Sequence, residues 1–289
     1  MKKVYLLIFV LIIVLVAFFA YEKRDIKILF VGDMMFDRYI RQVGERKGED
    51  FVFSCGNLGE FLKDSDLVVG NLEGPITNNS SISIKSEVGT STNFVFTFPL
   101  TTAKLLAKNN IKLVNLGNNH IVNFGQEGIA STKKYLTEVG VSYFGQPREA
   151  LAKWGNISFI SYNEFGGDLS EKISEKIKEE KNNGQIVFVY SHWGDEYSEV
   201  SERIKNMANL FVKSGADFIV GSHPHIILPS EKIKNTFVYY SLGNFIFDQY
   251  WNKEVSTGLV LEVNVRNKKI NVIEHKTSLL PDGRTCLEN

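Results

Sequence analysis

The stretch Asp217-Phe218-Ile219-Val220-Gly221-Ser222-His223-Pro224-His225 decides how this chain is read. Phe218 to Val220 is a short apolar run of the kind that forms a buried strand, and it stops at Gly221. Two histidines follow, two residues apart. In extended chain such side chains point to the same side, so His223 and His225 can address one point beyond the strand's carboxyl end. Open α/β sheets place their ligand sites there, and imidazole is the commonest metal-ligating side chain. Taken alone, the pair reads as two unrelated loop histidines. The rest of the chain changes that reading.

Working outward, the same arrangement recurs. A strand at Ile26 to Val31 ends in Gly32-Asp33, and Asp33 suits either a metal ligand or a helix N-cap. A strand from Asp66 to Gly70 runs into Asn71-Leu72-Glu73-Gly74-Pro75, and one from Ile111 to Leu116 into Gly117-Asn118-Asn119-His120. Ile186 to Tyr190 leads to Ser191-His192-Trp193-Gly194-Asp195-Glu196-Tyr197. Further strands are expected at 141–144, 157–162 and 237–240, the last leading into Ser241-Leu242-Gly243-Asn244-Phe245-Ile246-Phe247-Asp248. Helical patterns at 34–46, 57–64, 100–109, 126–139, 168–183 and 199–214 alternate with these strands, which predicts an α/β sheet. The runs 257–265 and 269–276 around Asn267-Lys268 predict a hairpin, placed in a second sheet, with His275 structural. Residues 76–97 are rich in Ser, Thr and Asn. They read as a long loop with a hairpin at 93–98, either solvated and mobile or a substrate lid. The tail at 281–289 is expected to fray.

The chain has 33 basic and 33 acidic side chains, so net charge offers no argument for nucleic acid as a partner. Val4 to Ala20 is an uncharged apolar run, at the lower edge of the roughly 17–25 residues that span a bilayer. Bulky Phe18 occupies a position that a cleavable signal peptide fills with a small residue. Residues 1–24 are therefore expected to be an uncleaved, single-pass transmembrane helix. Lys2 and Lys3 keep its start cytoplasmic, and residues 25–280 form the main domain outside the cell membrane. The two cysteines, Cys55 and Cys286, lack metal-type spacing. An extracytoplasmic disulfide between them is allowed, and their pairing stays open.

Collected, the strand ends carry Asp33, Asn71, Glu73, Asn119, His120, His192, His223 and His225, which include four of the five histidines. Random placement would rarely do this, so a metal site is expected. Carboxylate, amide and imidazole donors without thiolate suit one or two divalent ions such as Mn, Zn or Fe, rather than a structural zinc knot. A carboxylate between two ions offsets their repulsion, and such a pair lowers the pKa of a shared water and clamps a phosphoryl group. A histidine outside the ligand set can protonate a leaving oxygen.

Here the residues carry a resemblance. The order Gly32-Asp33, Gly70-Asn71-Leu72-Glu73, Gly117-Asn118-Asn119-His120, His192, Gly221-Ser222-His223-Pro224-His225 resembles the calcineurin-like metallophosphoesterase superfamily. With Val31-Gly32-Asp33-Met34-Met35, Asn71-Leu72-Glu73-Gly74-Pro75, His192-Trp193-Gly194-Asp195-Glu196-Tyr197 and Tyr240 to Asp248, it looks more closely like the bacterial capsule-synthesis (CapA, poly-γ-glutamate biosynthesis) family, over about residues 26–250. The resemblance implies a four-layer α-β-β-α sandwich. It implies that Asp33 and His225 hold one ion, that Asn119, His192 and His223 hold the other, and that Glu73 bridges, with Asn71 the alternative. It makes His120 the general acid or a phosphate-orienting group. Asn118, Trp193, Glu196 and Asn244 are expected to bind substrate or support the ligands, although Trp193 suits plain packing and Asn244 a turn. Two positions depart from the wider superfamily. Met35 stands where it has a histidine, and Asn71 where it has a bridging aspartate.

The expected function is a membrane-anchored, metal-dependent hydrolase acting on a phosphoester or an anionic surface polymer such as poly-γ-glutamate, in company with capsule synthase subunits. The alternative is a non-catalytic accessory or polymer-binding subunit that retains the metal fold. A cyclic-nucleotide or nucleic-acid phosphodiesterase is a third and weaker reading.

Overall fold

The structure, a computed structural model, describes residues 25–145 and 149–288. The anchor expected at 1–24 lies outside the described residues. Within them no helix is long and apolar enough to cross a membrane.

Two sheets face each other. The first contains β1 (Ile26–Met34), β2 (Leu67–Leu72), β3 (Ile111–Asn115) and β4 (Ser142–Phe144) as parallel neighbours. The second contains β5 (Leu151–Trp154), β6 (Ile157–Asn163), β7 (Ile186–His192), β8 (Phe218–Ser222), β9 (Ile227–Ile233) and β10 (Thr236–Leu242), in the order β5-β6-β7-β8-β10-β9. The chain then returns to the first sheet. β11 (Asn244–Ile246) pairs beside β1, and β12 (Thr257–Arg266), β13 (Lys269–Leu279) and β14 (Thr285–Leu287) extend that sheet antiparallel. The hairpin expected in a second sheet thus forms the outer part of the first. Its strand β12 finds an open edge on β1 and lays Leu259, Leu261, Val263 and Val265 into the core between the sheets.

Period-two alternation explains the layering. In β1, Ile28 and Phe30 enter the inter-sheet core, while Leu29 and Val31 face outward. Phe30 sits 5.5 Å from Phe218 and 5.8 Å from Phe188, ring centre to ring centre across the sheets. The outward face of the first sheet is covered by α1 (Arg38–Lys47), α2 (Leu58–Lys63), α3 (Thr102–Lys108) and α4 (Gly125–Glu138), through residues such as Ile40, Leu62, Leu106 and Leu136. The outward face of the second is covered by α5 (Ser170–Asn182) and α6 (Glu202–Ser214), through Ile173, Ile177, Ala208 and Phe211. The result is a helix-sheet-sheet-helix stack with three apolar layers.

Some expectations need correction. The helix expected from 34 starts at Arg38, because Met34 and Met35 continue as buried chain beside β11, with Met35 N–H donating 2.8 Å to Ile246 O. Asp33 is therefore not a helix cap. Residues 93–98 form no hairpin. A 3-10 turn at Ser91–Phe94 is followed by a single parallel bridge between Phe98 and Ile76. The loop is pinned rather than free. Buried Asp37 Oδ2 accepts from Ser83 Oγ at 2.8 Å and from Thr97 N–H at 2.9 Å. The tail beyond Leu280 does not fray within the described residues. β14 pairs with β13, and Cys286 is bonded to Cys55.

Two glycines allow the close approaches that build the site. A Cβ on Gly32 would lie 1.9 Å from Gly243 O, and one on Gly221 would lie 2.0 Å from Tyr240 O. Any side chain there would drive β11 from β1 or β10 from β8. At the far end, the hairpin turn holds Asn267 at φ +50° and Lys268 at φ +62°. Two left-handed residues make a tight turn matched to strand twist, for which Asn-Gly is the favoured pair. Lys268→Gly should therefore raise stability by about 0.5–1 kcal/mol, read as a higher urea midpoint with an unchanged slope. A fall in the midpoint would show that the contact from Lys268 Nζ to Gly184 O, 3.1 Å, matters more than the turn conformation.

Candidate metal centre

Register gathers the site. In the first sheet Asp33 pairs with Asn71 and with Asn244, and Asn71 pairs with Asn115. In the second, Asn163 pairs with His192 and His192 with Ser222. Two rows of polar side chains thus lie at the carboxyl ends of facing parallel strands, where loops can add to them.

The loop after β8 adds His223 and His225. It is not extended chain as the spacing suggested. His223 has φ +97° and His225 φ +59°, a conformation uncommon outside glycine and concentrated at functional sites. The turn is held by His223 N–H, which donates 3.0 Å to Asp33 Oδ2. Its two rings, 5.9 Å apart, each join a separate group that includes Glu73. Asp33, Glu73 and His225 place ligand atoms within 4.8 Å of one another, and Glu73, His192 and His223 do the same. Glu73 belongs to both. A third group, Glu196 with His223 and His225, lies on the solvent side.

Hydrogen bonds fix the atoms that face this centre. Asn244 Nδ2 donates to Val255 O at 3.0 Å and Gln249 Oε1 at 2.9 Å, so its Oδ1 accepts from His225 Nδ1 at 2.9 Å. His225 Nε2 then keeps its lone pair, 3.6 Å from Glu73 Oε1. His120 Nδ1 donates to Phe94 O at 3.1 Å, which leaves Nε2 unprotonated 3.9 Å from Glu73 Oε1. His192 contacts Ser222 Oγ at 3.0 Å through Nδ1 and Asn119 Oδ1 at 2.8 Å through Nε2. Asn71 Nδ2 donates to Asp33 Oδ1 at 2.8 Å. Partners of this kind orient ligands and set their basicity.

Burial sets the protonation states. It drives His120 and His223 down to about 4 and His225 to about 3, and holds His192 well below the usual histidine range. All four are neutral imidazoles at neutral pH, the form that ligates metal. Burial pushes Asp33 up to about 6. Burial, reinforced by the Asp33 carboxylate, pushes Glu73 well above the ordinary glutamate value.

The residues fit a divalent cation. Both Glu73 oxygens and His223 Nδ1 are buried with no hydrogen-bond partner, at a cost of roughly 1–3 kcal/mol for each such atom. The residues that carry these orphaned atoms belong to one group. A cation satisfies them together, and oxygen and nitrogen donors suit a hard or borderline divalent ion.

Of the residues singled out in the sequence, Asp33, Glu73, His192, His223 and His225 fall in these groups, Asn119 and His120 border them, and Glu196 lies at the mouth. Asn71 hydrogen-bonds Asp33, and Asn244 hydrogen-bonds His225. Asn118 holds the turn that carries His120, its Oδ1 accepting from His120 N–H at 3.1 Å and Ile121 N–H at 2.9 Å. Trp193 does not line the centre. It is fully buried in the outer core of the second sheet, with Nε1 donating 2.9 Å to Tyr240 O. Sequence reasoning missed Phe165, whose ring lies 4.4 Å from that of His223, and Gln249, which links Asn244 to Tyr197 Oη at 2.9 Å. Neither carries a sequence signal of its own.

Residues 27–249 match the family model described as bacterial capsule synthesis protein PGA_cap. The chain is 32% identical over 257 residues to PGA biosynthesis protein CapA of Bacillus subtilis (strain 168), covering 80% of this chain and 66% of that protein. It is 30% identical over 268 residues to capsule biosynthesis protein CapA of Bacillus anthracis, covering 83% of this chain and 64% of that protein. The chain thus spans about two thirds of the length of these curated relatives. Among solved structures, Chaetomium thermophilum Vps29 matches with a TM-score of 0.34 at 12% identity, over 76% of this chain and 94% of that one, a likeness too slight to bear on the fold.

Proposed function

The chain belongs to the bacterial capsule synthesis protein family PGA_cap, and from that premise we propose that it is a divalent-metal hydrolase serving the synthesis or export of an anionic surface polymer of the poly-γ-glutamate class. The observation that carries this reading is Glu73, which is common to two ligand groups and has both oxygens buried and unpartnered.

Asp33 and His225 would hold one ion, and His192 and His223, with Asn119, a second. Glu73 would serve both. Such ions supply Lewis acidity and lower the pKa of water, for a phosphoester or amide bond alike. Asn244 and Asn71 keep the ligand atoms aimed. His120, with its Nε2 lone pair turned toward Glu73, moves a proton at that atom. The apolar run from Val4 to Ala20 supports a membrane anchor, and the Cys55–Cys286 disulfide supports an oxidising, extracytoplasmic setting for the domain. Synthase subunits in the same membrane are the proposed partners.

The test is metal analysis of the full chain purified in detergent, with turnover measured across phosphoesters and γ-glutamyl peptides. Bound Mn, Zn or Fe is expected, together with metal-dependent turnover that falls by about 10²–10⁴ in His120→Gln while metal content holds. A chain that binds no such ion sinks the reading. One observation favours the accessory-subunit alternative. Met35, where the wider superfamily has a histidine, is buried and spends its sulfur on Asp37 N–H at 3.0 Å. Full metal occupancy without turnover on any of these substrates would select that alternative.

A further inference from the structure

We infer that Arg38, together with the cavity it lines beside the metal centre, is the subsite that anchors an oxyanion of the substrate, a carboxylate or a phosphate. This rests on the hydrolase reading above and adds to it the residue that would recognise the substrate's charge.

Arg38 sits between the centre and a surface cavity. Its guanidinium carbon lies 5.1 Å from the Phe96 ring centre, and Phe96 packs 4.4 Å from the His120 ring. It lies 5.4 Å from the Phe247 ring centre, and Phe247 packs 4.8 Å from the His225 ring. Each aromatic ring that carries the cation thus also buttresses a histidine of the site. Arg38 also lines a cavity of about 270 Å³ with Asn93, Ser86, Asp248 and Trp251, enough for one charged unit of a polymer.

The guanidinium is only partly used. It is ion-paired with Asp248, and Nη1 reaches Asn93 Oδ1 at a long 3.4 Å. Its Nε is buried without a partner. The backbone that aims it is held at φ +49°, which a non-glycine residue adopts only at a cost. Arginine presents a rigid fork of donors matched to carboxylate and phosphate.

A competing role is structural. The Asp248 carboxylate also accepts from Tyr39 N–H at 3.2 Å, so the ion pair pins the start of α1 to the chain after β11. The two roles separate by mutating each partner. If Arg38 only pins, Arg38→Met and Asp248→Asn break one ion pair and act alike. If Arg38 anchors an anion, Asp248 is its competitor, and Asp248→Asn does not weaken binding as Arg38→Met does.

The experiment measures binding of inorganic phosphate and of a short γ-linked glutamate oligomer to the full chain in detergent by titration calorimetry. Metal content and thermal midpoint are recorded on the same samples. For at least one probe, Arg38→Met should weaken binding by about tenfold or more, Arg38→Lys by less, and Asp248→Asn not at all or in the opposite direction, all at wild-type metal content. The probe that responds tells phosphoryl from carboxylate recognition. Equal weakening by Arg38→Met and Asp248→Asn overturns the inference, as does unchanged binding in Arg38→Met or binding of neither probe to the wild type. Arg38→Lys and Asp248→Asn keep the comparison open should Arg38→Met fold poorly. A wild type without metal defeats the hydrolase reading, while the anion affinities of the same variants still decide the role of Arg38.

Discussion

Glu73→Gln should leave the metal-free protein more stable at neutral pH while cutting divalent-ion affinity by at least about a hundredfold. The two effects have one cause. Glu73 is fully buried, neither of its oxygens has a hydrogen-bond partner, and the Asp33 carboxylate lies in the same ligand group. Without a cation the ionised side chain is a liability. The sign follows from linkage. Below about 4.5, its ordinary value, folded and unfolded chains both hold the proton and no penalty exists. As pH rises through that value the unfolded chain releases its proton while the folded chain retains it, so stability falls until the raised folded value is passed. Asp33 contributes the same trend between 3.8 and about 6. The gain from Glu73→Gln in metal-free protein should therefore be absent in acid and reach roughly 1–3 kcal/mol near neutrality. Adding Mn or Zn should raise the thermal midpoint of the wild type and barely move that of the variant. The measurement is a pair of melting series against pH, with chelator and with metal. A variant that melts below the wild type in chelator at pH 7, or that keeps the metal-induced shift, would remove Glu73 from the centre of this reading.

Loss of the Cys55–Cys286 disulfide should cost up to about 5 kcal/mol, a large part of the stability of an ordinary domain. The bond joins residues 231 apart, so it closes most of the described chain into one loop and restrains the unfolded ensemble strongly. It also ties β14 to the segment before α2, on the side of the first sheet away from the second. The check is the urea midpoint of the oxidised chain against the Cys55→Ser/Cys286→Ser double variant, with the slope compared as well. A loss under about 1 kcal/mol would show that β14 and the packing of Leu279 hold this end unaided.

Much of the candidate site was legible because metal chemistry restricts residue type. Asp33, Glu73, Asn119, His192, His223 and His225 stand out since carboxylate, amide and imidazole groups after apolar runs are hard to explain as core. The neighbours that fix their orientation were less so. Gln249, Phe165 and Arg38 look ordinary in sequence, and each acquires meaning from what lies across a strand or loop. Trp193 shows the opposite failure. Its place beside His192 made it a candidate, but adjacent residues of a strand end face opposite sides, and the indole went to the core.

By itself the sequence determined the alternation of strands and helices, the strand ends that carry polar groups, and the kind of ion those groups suit. These follow from local periodicity and donor chemistry, which need no knowledge of distant contacts. Only the tertiary structure decided that the last hairpin joins the first sheet, that Cys55 meets Cys286, and how the motif at 217–225 is used. Strand partners and cross-links are choices among distant segments, set by which edge and which apolar face remain open. The two histidines of that motif share no side of an extended strand. Left-handed backbone at both, held by Asp33, sends His223 toward His192 and His225 toward Asp33, with Glu73 between them.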